Sequence, residues 1–246
     1  MKKHDERWQG LSREARAQLV MRDYRPCSLA AQIAEAGVDA GQIATMDREA
    51  ADLAEAWIPG VEVFARTIHP QRHRGSFGEL VRCEEGPLAR IGLWPRQWAA
   101  ARMFAQTAKG FHVHPPSIPA GTSPKEWFQR LFVAEPANFA LRRYEEEQWD
   151  VMFFVQGRVE IILREVRAGM PARTMRCFVE GENHRGPNNV AIVIPAGVAH
   201  ALRVEGSEDL IMVYGTSISF DPAAEGRIAS EVETSQLPAE WQKFLT

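Results

Sequence analysis

The sequence predicts a mainly β protein, an antiparallel sandwich or barrel, with a helical extension at its N-terminus. Two observations predict this class. After Gly60 the 246-residue chain consists of short runs rich in Val, Ile and Phe, separated by Gly, Pro and Asn, as expected of strands joined by turns. Helices long enough to connect parallel strands do not intervene, so successive strands are expected to pair antiparallel.

The helical extension is predicted over residues 1–59. Ser12 and Ser28 are candidate N-caps of two helical segments. A third segment repeats apolar residues at the spacing of a core-facing helical stripe, at Ala50, Leu53, Ala54 and Trp57. No cluster of ionisable residues occurs here, so we expect the extension to cover the barrel or to help form a dimer.

The β domain is predicted over residues 60–222. Its candidate strands are residues 61–67, 77–83, 102–106, 110–114, 151–155, 159–166, 174–179, 189–194, 200–204 and 210–214. In the strand that starts at residue 159, apolar residues alternate with Arg158, Glu160 and Arg164. This alternation predicts one buried face and one solvated face.

Residues 115–149 interrupt the strands with prolines, a short predicted helix at 126–132 and an acidic run at 145–147. An excursion of this length is rarely a plain loop. Two interpretations stay open: a lid over the mouth of the barrel, or an insertion that packs on its outside or against another subunit. Residues 223–246 are predicted to be a polar tail with a terminal helix at 239–244.

Composition and charge limit the partners and the compartment. The net charge of -3 argues against a nucleic-acid partner and favours a small molecule. Residues 5–7 are charged where an export signal needs an apolar run, and no apolar stretch reaches the roughly 20 residues needed to cross a bilayer. Cys27, Cys83 and Cys177 lack metal or disulfide spacing. We therefore expect a cytoplasmic protein without a membrane partner.

Three short segments carry the residues from which chemistry is expected. His112 and His114 are two positions apart on a candidate strand, so both side chains leave the same face. Asp150 precedes an apolar run that ends at Gly157, and His200 follows a Pro-Ala-Gly turn. Histidines and a carboxylate that converge inside an apolar barrel need partners or a metal ion. These four side chains are therefore the predicted functional site.

This order of residues resembles the two motifs of the cupin family: His-x-His, an acidic residue seven positions before a glycine, and later Pro-x-Gly-x-x-His. The resemblance implies a cupin-type antiparallel β-barrel, a jelly roll. It also implies that the motif residues point into the barrel and hold one divalent metal ion, Fe, Mn, Ni, Zn or Cu. The implied metal ligands are His112, His114, Asp150 and His200.

A narrower resemblance spans about residues 60–220 and is to the dTDP-4-dehydrorhamnose 3,5-epimerase family, the RmlC-like cupins. Arg74-Gly-Ser-Phe-Gly-Glu79 resembles that family's Arg-Gly-x-Phe-x-Glu element, and Lys109-Gly-Phe-His112 resembles its Arg-Gly-Leu-His. Val155-Gln-Gly-Arg-Val and Ile194-Pro-Ala-Gly-Val-Ala-His200 are similar to two further family segments. The resemblance implies a homodimer that acts on a nucleotide sugar or another sugar.

The family's site residues carry over to matching positions. Arg74 and Glu79 would contact a thymidine nucleotide, and Phe77 would stack near the base. Epimerisation beside a ketone needs a base that removes an α-proton and a cation or acid that stabilises the enolate. His112 is the implied base, while Lys109 and His200 would face the phosphate or enolate oxygen.

Three positions depart from the epimerase pattern. Asp150 stands where those enzymes carry an active-site lysine, and His114 stands where they have a glutamine. The tyrosine that donates a proton on the opposite sugar face would fall at Ser219 or Phe220, and neither is a phenol. The sequence therefore predicts a cupin enzyme related to nucleotide-sugar 3,5-epimerases or isomerases with altered active-site chemistry. The alternatives are a metal-dependent cupin, such as a small-molecule oxygenase or isomerase, and a non-catalytic ligand-binding cupin.

Overall fold

The computed structural model describes residues 38–45, 57–90, 92, 94–112, 114, 148–165, 170, 173–184 and 186–220. Several predictions concern residues outside these ranges. They are the helices that begin at Ser12 and Ser28, the helices at 126–132 and 239–244, and the lid interpretation of the insertion. Among the described helices, none has the length and apolar character needed to cross a bilayer.

Most of the described elements are strands. The first part of the chain contributes β1 (Val38–Asp39), α1 (Ala40–Thr45), β2 (Glu62–Ala65), β3 (Ile68–Pro70), a 3-10 turn (Arg72–Arg74), β4 (Ser76–Gly78), α2 (Pro87–Arg90), β5 (Gln97–Met103) and β6 (Ala108–His112). The second part contributes β7 (Asp150–Gln156), β8 (Arg158–Glu165), β9 (Thr174–Glu180), β10 (Val190–Ile194), β11 (Val198–Glu205) and β12 (Leu210–Thr216).

Two five-stranded sheets form the body of the protein. The first sheet has the order β1-β9-β8-β11-β6 and the second has the order β2-β10-β7-β12-β5, while β3 and β4 form a separate hairpin. All pairs of the described strands are antiparallel except that of β1 with β9. The predicted antiparallel β fold is thus confirmed. Among the described strands, the hydrogen-bonded ladders do not continue from one sheet into the other, so the barrel is built as two packed sheets.

The main core lies between the sheets. Ile161 and Leu163 of β8 and Leu202 of β11 belong to the same buried cluster as Phe154 of β7 and Ile192 of β10. Burying one such side chain contributes about 1.5–3 kcal/mol. A smaller cluster covers part of the other face of the second sheet, where Leu88, Trp149, Val151, Phe153, Ala191, Val193 and Ala196 pack together.

Several predicted strand bounds were wrong. The strand predicted at 77–83 ends at Gly78, and the strand predicted at 102–106 is instead Gln97–Met103. Alanine is depleted in strands, so residues 99–101 gave no β signal, although their burial alternates along β5. Beyond Gly78 the chain turns, and Arg82 hydrogen-bonds with both Glu79 and Glu85.

The prediction that one face of β8 is solvated was also wrong. Glu160 is 0% exposed, and Ile162 beside it is buried as well. The carboxylate of Glu160 pairs with Arg176 of β9 and with Arg203, which lies opposite it on β11. A buried carboxylate is tolerated when it is paired and hydrogen-bonded, and these two guanidinium groups provide that environment.

Candidate functional site

A cavity of about 340 Å³ lies between the two sheets. The first sheet contributes side chains of β6 and β11 to its wall, and the second sheet contributes side chains of β5, β7 and β12. The lining residues are Gln97, Lys109, His112, His114, Gln148, Asp150, Met152, His200, Leu202, Met212, Tyr214, Thr216, Ile218, Ser219 and Phe220. All predicted catalytic residues and all four predicted metal ligands are among them.

A β-bulge in β6 brings both Lys109 and His112 to this wall. His112 is opposite His200 on β11, whereas Lys109 is opposite Leu202. An advance of three residues along β6 therefore corresponds to an advance of two residues along β11. In a regular strand, residues three apart point to opposite faces. The extra residue of the bulge restores a common face for both side chains.

Gly110 makes this bulge possible. Its φ is 138°, and a Cβ atom built there would lie 2.4 Å from Cβ of Ala201. A side chain is therefore excluded both by the backbone conformation and by the close approach of β11. The glycine between the lysine and the histidine is a structural requirement of the site.

The three histidines lie side by side. The ring centroids of His112 and His200 are 5.8 Å apart, and those of His114 and His200 are 5.6 Å apart. His114 follows the end of β6, where its carbonyl accepts a 2.6 Å hydrogen bond from the N–H of Gly197. The turn before His200 therefore also holds His114 in place. Both histidines of the His-x-His pair face the cavity, as their spacing predicted.

Asp150 begins β7 on the facing sheet and is buried. Its Oδ2 is 3.1 Å from Nε2 of His114 and 4.0 Å from Nε2 of His200, and its Oδ1 accepts a 3.0 Å hydrogen bond from Gln148. Burial acts to raise the pKa of Asp150. The neighbouring His114, then His200 and Gln148, outweigh burial and lower the pKa to about 2. Asp150 is therefore a carboxylate at neutral pH.

His200 is almost fully buried on β11. Burial lowers its pKa to about 4, although Asp150 opposes this change. Its ring is therefore neutral at pH 7. A neutral imidazole presents one nitrogen with a free lone pair, which suits a hydrogen-bond acceptor or a metal ligand.

Among the described residues, one group has the donor atoms for a metal ion. One nitrogen of His114, one nitrogen of His200 and one oxygen of Asp150 all lie within 4.8 Å of one another. His112 lines the same cavity but is not a member of this group. The structure thus brings together three of the four predicted ligands most closely.

Tyr214 was missed by the sequence prediction. It lies on β12 beside Met152 of β7 and lines the cavity from the second sheet, facing the histidines of the first. Met212, Tyr214 and Thr216 all line the cavity. The alternation of Met212 and Tyr214 along the strand predicted at 210–214 was a signal that could have identified this phenol.

The three predicted nucleotide contacts lie outside the cavity. Arg74 ends the exposed 3-10 turn, and Phe77 of β4 is 51% exposed and stacks on His69 at 6.2 Å. Glu79 pairs with Arg82 and lines a second cavity of about 310 Å³. Their role in binding stays a prediction.

Solved structures share this fold. A double mutant of ChmJ, a 3'-monoepimerase from Streptomyces bikiniensis in complex with dTDP, matches with a TM-score of 0.51 and 18% identity, over 76% of this chain and 79% of that one. A dTDP sugar isomerase from Desulfovibrio desulfuricans G20 matches with a TM-score of 0.50 and 12% identity, over 68% of this chain and 83% of that one. The fold is thus that of the RmlC-like cupins, as predicted. At these identities the structures show the fold alone.

A curated protein is similar in sequence. The chain is 28% identical over 180 residues to the spore coat polysaccharide biosynthesis protein SpsL of Bacillus subtilis (strain 168), which covers 72% of this chain and 93% of SpsL. No protein-family model matches the chain.

Proposed function

We propose that this protein is a nucleotide-sugar epimerase or isomerase that acts beside a sugar ketone. The observation that carries the proposal is the wall of the cavity, to which a bulge in β6 brings both Lys109 and His112. Support comes from the fold shared with proteins named as a dTDP-sugar isomerase and a 3'-monoepimerase, and from the similarity to a polysaccharide biosynthesis protein.

The residues of this wall can perform the first half of an epimerisation. An imidazole accepts protons near neutral pH, so His112 removes the proton from the carbon beside the ketone. The electrons of that C–H bond move to the carbonyl oxygen and form an enolate. The ammonium group of Lys109 stabilises this oxygen. When no cation is bound beside it, the carboxylate of Asp150 repels the same oxygen, so the ketone is bound with its oxygen toward Lys109.

The second half of the reaction needs a proton on the opposite face of the sugar. Tyr214 stands on the facing sheet and carries a phenol that can donate one. Protonation from this side inverts the configuration at the carbon beside the ketone. If the proton returns from the imidazole instead, the original configuration is restored and only exchange with solvent is seen.

Exchange with solvent deuterium tests the proposal. A dTDP-4-keto sugar is incubated with the full chain in D2O, and deuterium at the carbons beside the ketone is followed by NMR and mass spectrometry. We expect the wild-type protein to catalyse exchange and His112→Asn to lower the rate by about 100-fold or more, since a general base contributes about 10²–10⁴-fold.

His184→Asn is the matched control, because His184 lies outside the cavity and pairs with exposed Glu208. It should leave exchange unchanged. Failure of the wild-type protein to bind dTDP or a dTDP sugar at millimolar concentration would refute the nucleotide-sugar assignment. Binding without any exchange would instead favour the non-catalytic alternative.

The proposal includes a homodimer. Arg74 and Phe77 lie on an exposed hairpin that does not line the cavity of its own chain, so a second copy is needed to bring them to a bound nucleotide. Mixing Arg74→Ala and His112→Asn subunits tests this arrangement. If the hairpin acts on the partner's cavity, each mixed dimer contains one intact site of two. A 1:1 mixture, in which half of the dimers are mixed, then recovers about a quarter of wild-type activity. No recovery, despite mixed dimers seen by native mass spectrometry, contradicts this arrangement.

A further inference from the structure

We propose that His114, Asp150 and His200 form a divalent-metal site, and that His112 is not a ligand and stays available for proton transfer. The three groups come from separate segments: the end of β6, the start of β7 and the start of β11. The site joins both sheets at one end of the cavity. It does not depend on the proposed epimerase activity, because binding of metal can be measured without substrate.

Hydrogen bonding accounts for only part of this arrangement. The 3.1 Å distance between His114 Nε2 and Asp150 Oδ2 fits a hydrogen bond. The 4.0 Å distance between His200 Nε2 and the same oxygen does not. The other ring nitrogen of His200 has only a long 3.5 Å contact to the carbonyl oxygen of Val198. A cation among the three groups would engage His200 as well as His114.

The spacing of the donor atoms fits a transition metal after small side-chain movements. Ligand atoms about 2.0–2.2 Å from one ion lie roughly 3–3.5 Å from each other. Oδ2 of Asp150 lies 3.1 Å from Nε2 of His114 and 4.0 Å from Nε2 of His200, and the three donor atoms lie within 4.8 Å of one another. The 4.0 Å separation between His200 and Asp150 reaches this range when the His200 ring moves inward by about 0.5–1 Å.

Asp150 is already oriented for this role. Gln148 donates to Oδ1, so Oδ2 is the oxygen that faces the two rings. Partners of this kind fix the direction of metal-binding carboxylates. Both Asp150 and His200 are buried, whereas most exposed acidic groups bind no metal.

The donor set defines the class of metal. Two imidazoles and one carboxylate suit Fe(II), Zn(II), Mn(II), Ni(II) or Cu(II), and such sets leave open positions for a ligand from the cavity. An ion held here would act as a Lewis acid toward an oxygen of a bound molecule. Lys109, His112 and Tyr214 line the same cavity as the three ligands.

Metal titration tests the assignment. The full chain is stripped with a chelator, returned to chelator-free buffer, and titrated with Zn(II) by calorimetry and with Co(II) by visible absorption. We expect one equivalent to bind, with an absorption spectrum of nitrogen and oxygen ligands. Gln148→Leu removes the hydrogen bond to Asp150. It should weaken metal binding by about 10- to 100-fold, the usual effect of losing a residue that hydrogen-bonds to a metal ligand. Asp150→Asn and His114→Asn should weaken it further.

His112→Asn is the discriminating variant. It should bind one equivalent with nearly unchanged affinity while losing solvent exchange of the sugar. Loss of metal binding equal to that of Asp150→Asn would overturn the three-ligand assignment. A wild-type protein that binds no metal at millimolar concentration, or a folded His114→Asn variant that binds like wild type, would overturn the site. His184→Asn controls for adventitious binding, and circular dichroism confirms the fold of each variant.

Discussion

Gly110→Ala probes the bulge on which the geometry of the site depends. The native φ of 138° is essentially closed to residues with a Cβ, which costs about 1–3 kcal/mol. The new methyl group would also lie 2.4 Å from Cβ of Ala201, and overpacking of this kind costs about 1–3 kcal/mol. We therefore expect the free energy of unfolding to fall by roughly 2–6 kcal/mol, measured by urea denaturation.

Gly206→Ala is the matched control for this prediction. Gly206 has a φ of 77°, but nothing lies within 4 Å of an added Cβ, so only the backbone cost of about 1–2 kcal/mol applies. The double variant Gly110→Ala/Ala201→Gly removes the Cβ atom of residue 201 and should recover part of the loss. Recovery should be incomplete, because Cα of residue 201 would lie 2.6 Å from the added Cβ atom. Equal losses for Gly110→Ala and Gly206→Ala would refute the argument that close approach of β11 requires glycine.

Three further variants or reagents test other parts of the structure. Tyr214→Phe should slow formation of the inverted sugar by about 100-fold while leaving deuterium exchange nearly intact, and equal effects on both would contradict its role as the second proton donor. Glu160→Gln should lower the free energy of unfolding by about 3 kcal/mol, because Arg176 and Arg203 lose a buried partner; a urea-denaturation change below about 1 kcal/mol would argue against this. Cys177 is buried, and burial, together with nearby Glu160, raises its pKa to about 12, so peptide mapping after iodoacetamide treatment at pH 8 should find it unmodified unless the protein unfolds.

The sequence predicted the fold because its strands follow simple rules of alternation and turn composition. His112 and His114 share a face in the structure because their spacing of two required it. Lys109 shows the limit of that rule: strict alternation places it on the face opposite to His112, and only the bulge at Gly110 reverses this. Gly110 is a local signal of a bulge, but the register shift itself depends on the neighbouring strand, which the local sequence does not specify.

Two residues, Glu160 and Tyr214, show different limits of the sequence prediction. Glu160 looked solvated because charged residues usually are, but two arginines from neighbouring strands neutralise it in a buried position. Tyr214 was missed although it alternates correctly with Met212 and Thr216. The family resemblance predicted the proton-donating tyrosine at Ser219 or Phe220, whereas Tyr214 lies on β12, just before that segment.

The two walls of the cavity differ in sign of charge. Lys109 stands on the first sheet, and the carboxylate of Asp150 stands on the second. When no cation is bound beside Asp150, an electric field therefore crosses the cavity from one sheet to the other, and the apolar core around it screens this field less than water would. A polar molecule that enters is aligned along this axis before any bond changes, with its negative end toward β6. The direction of that field is set by which sheet carries the lysine and which carries the carboxylate.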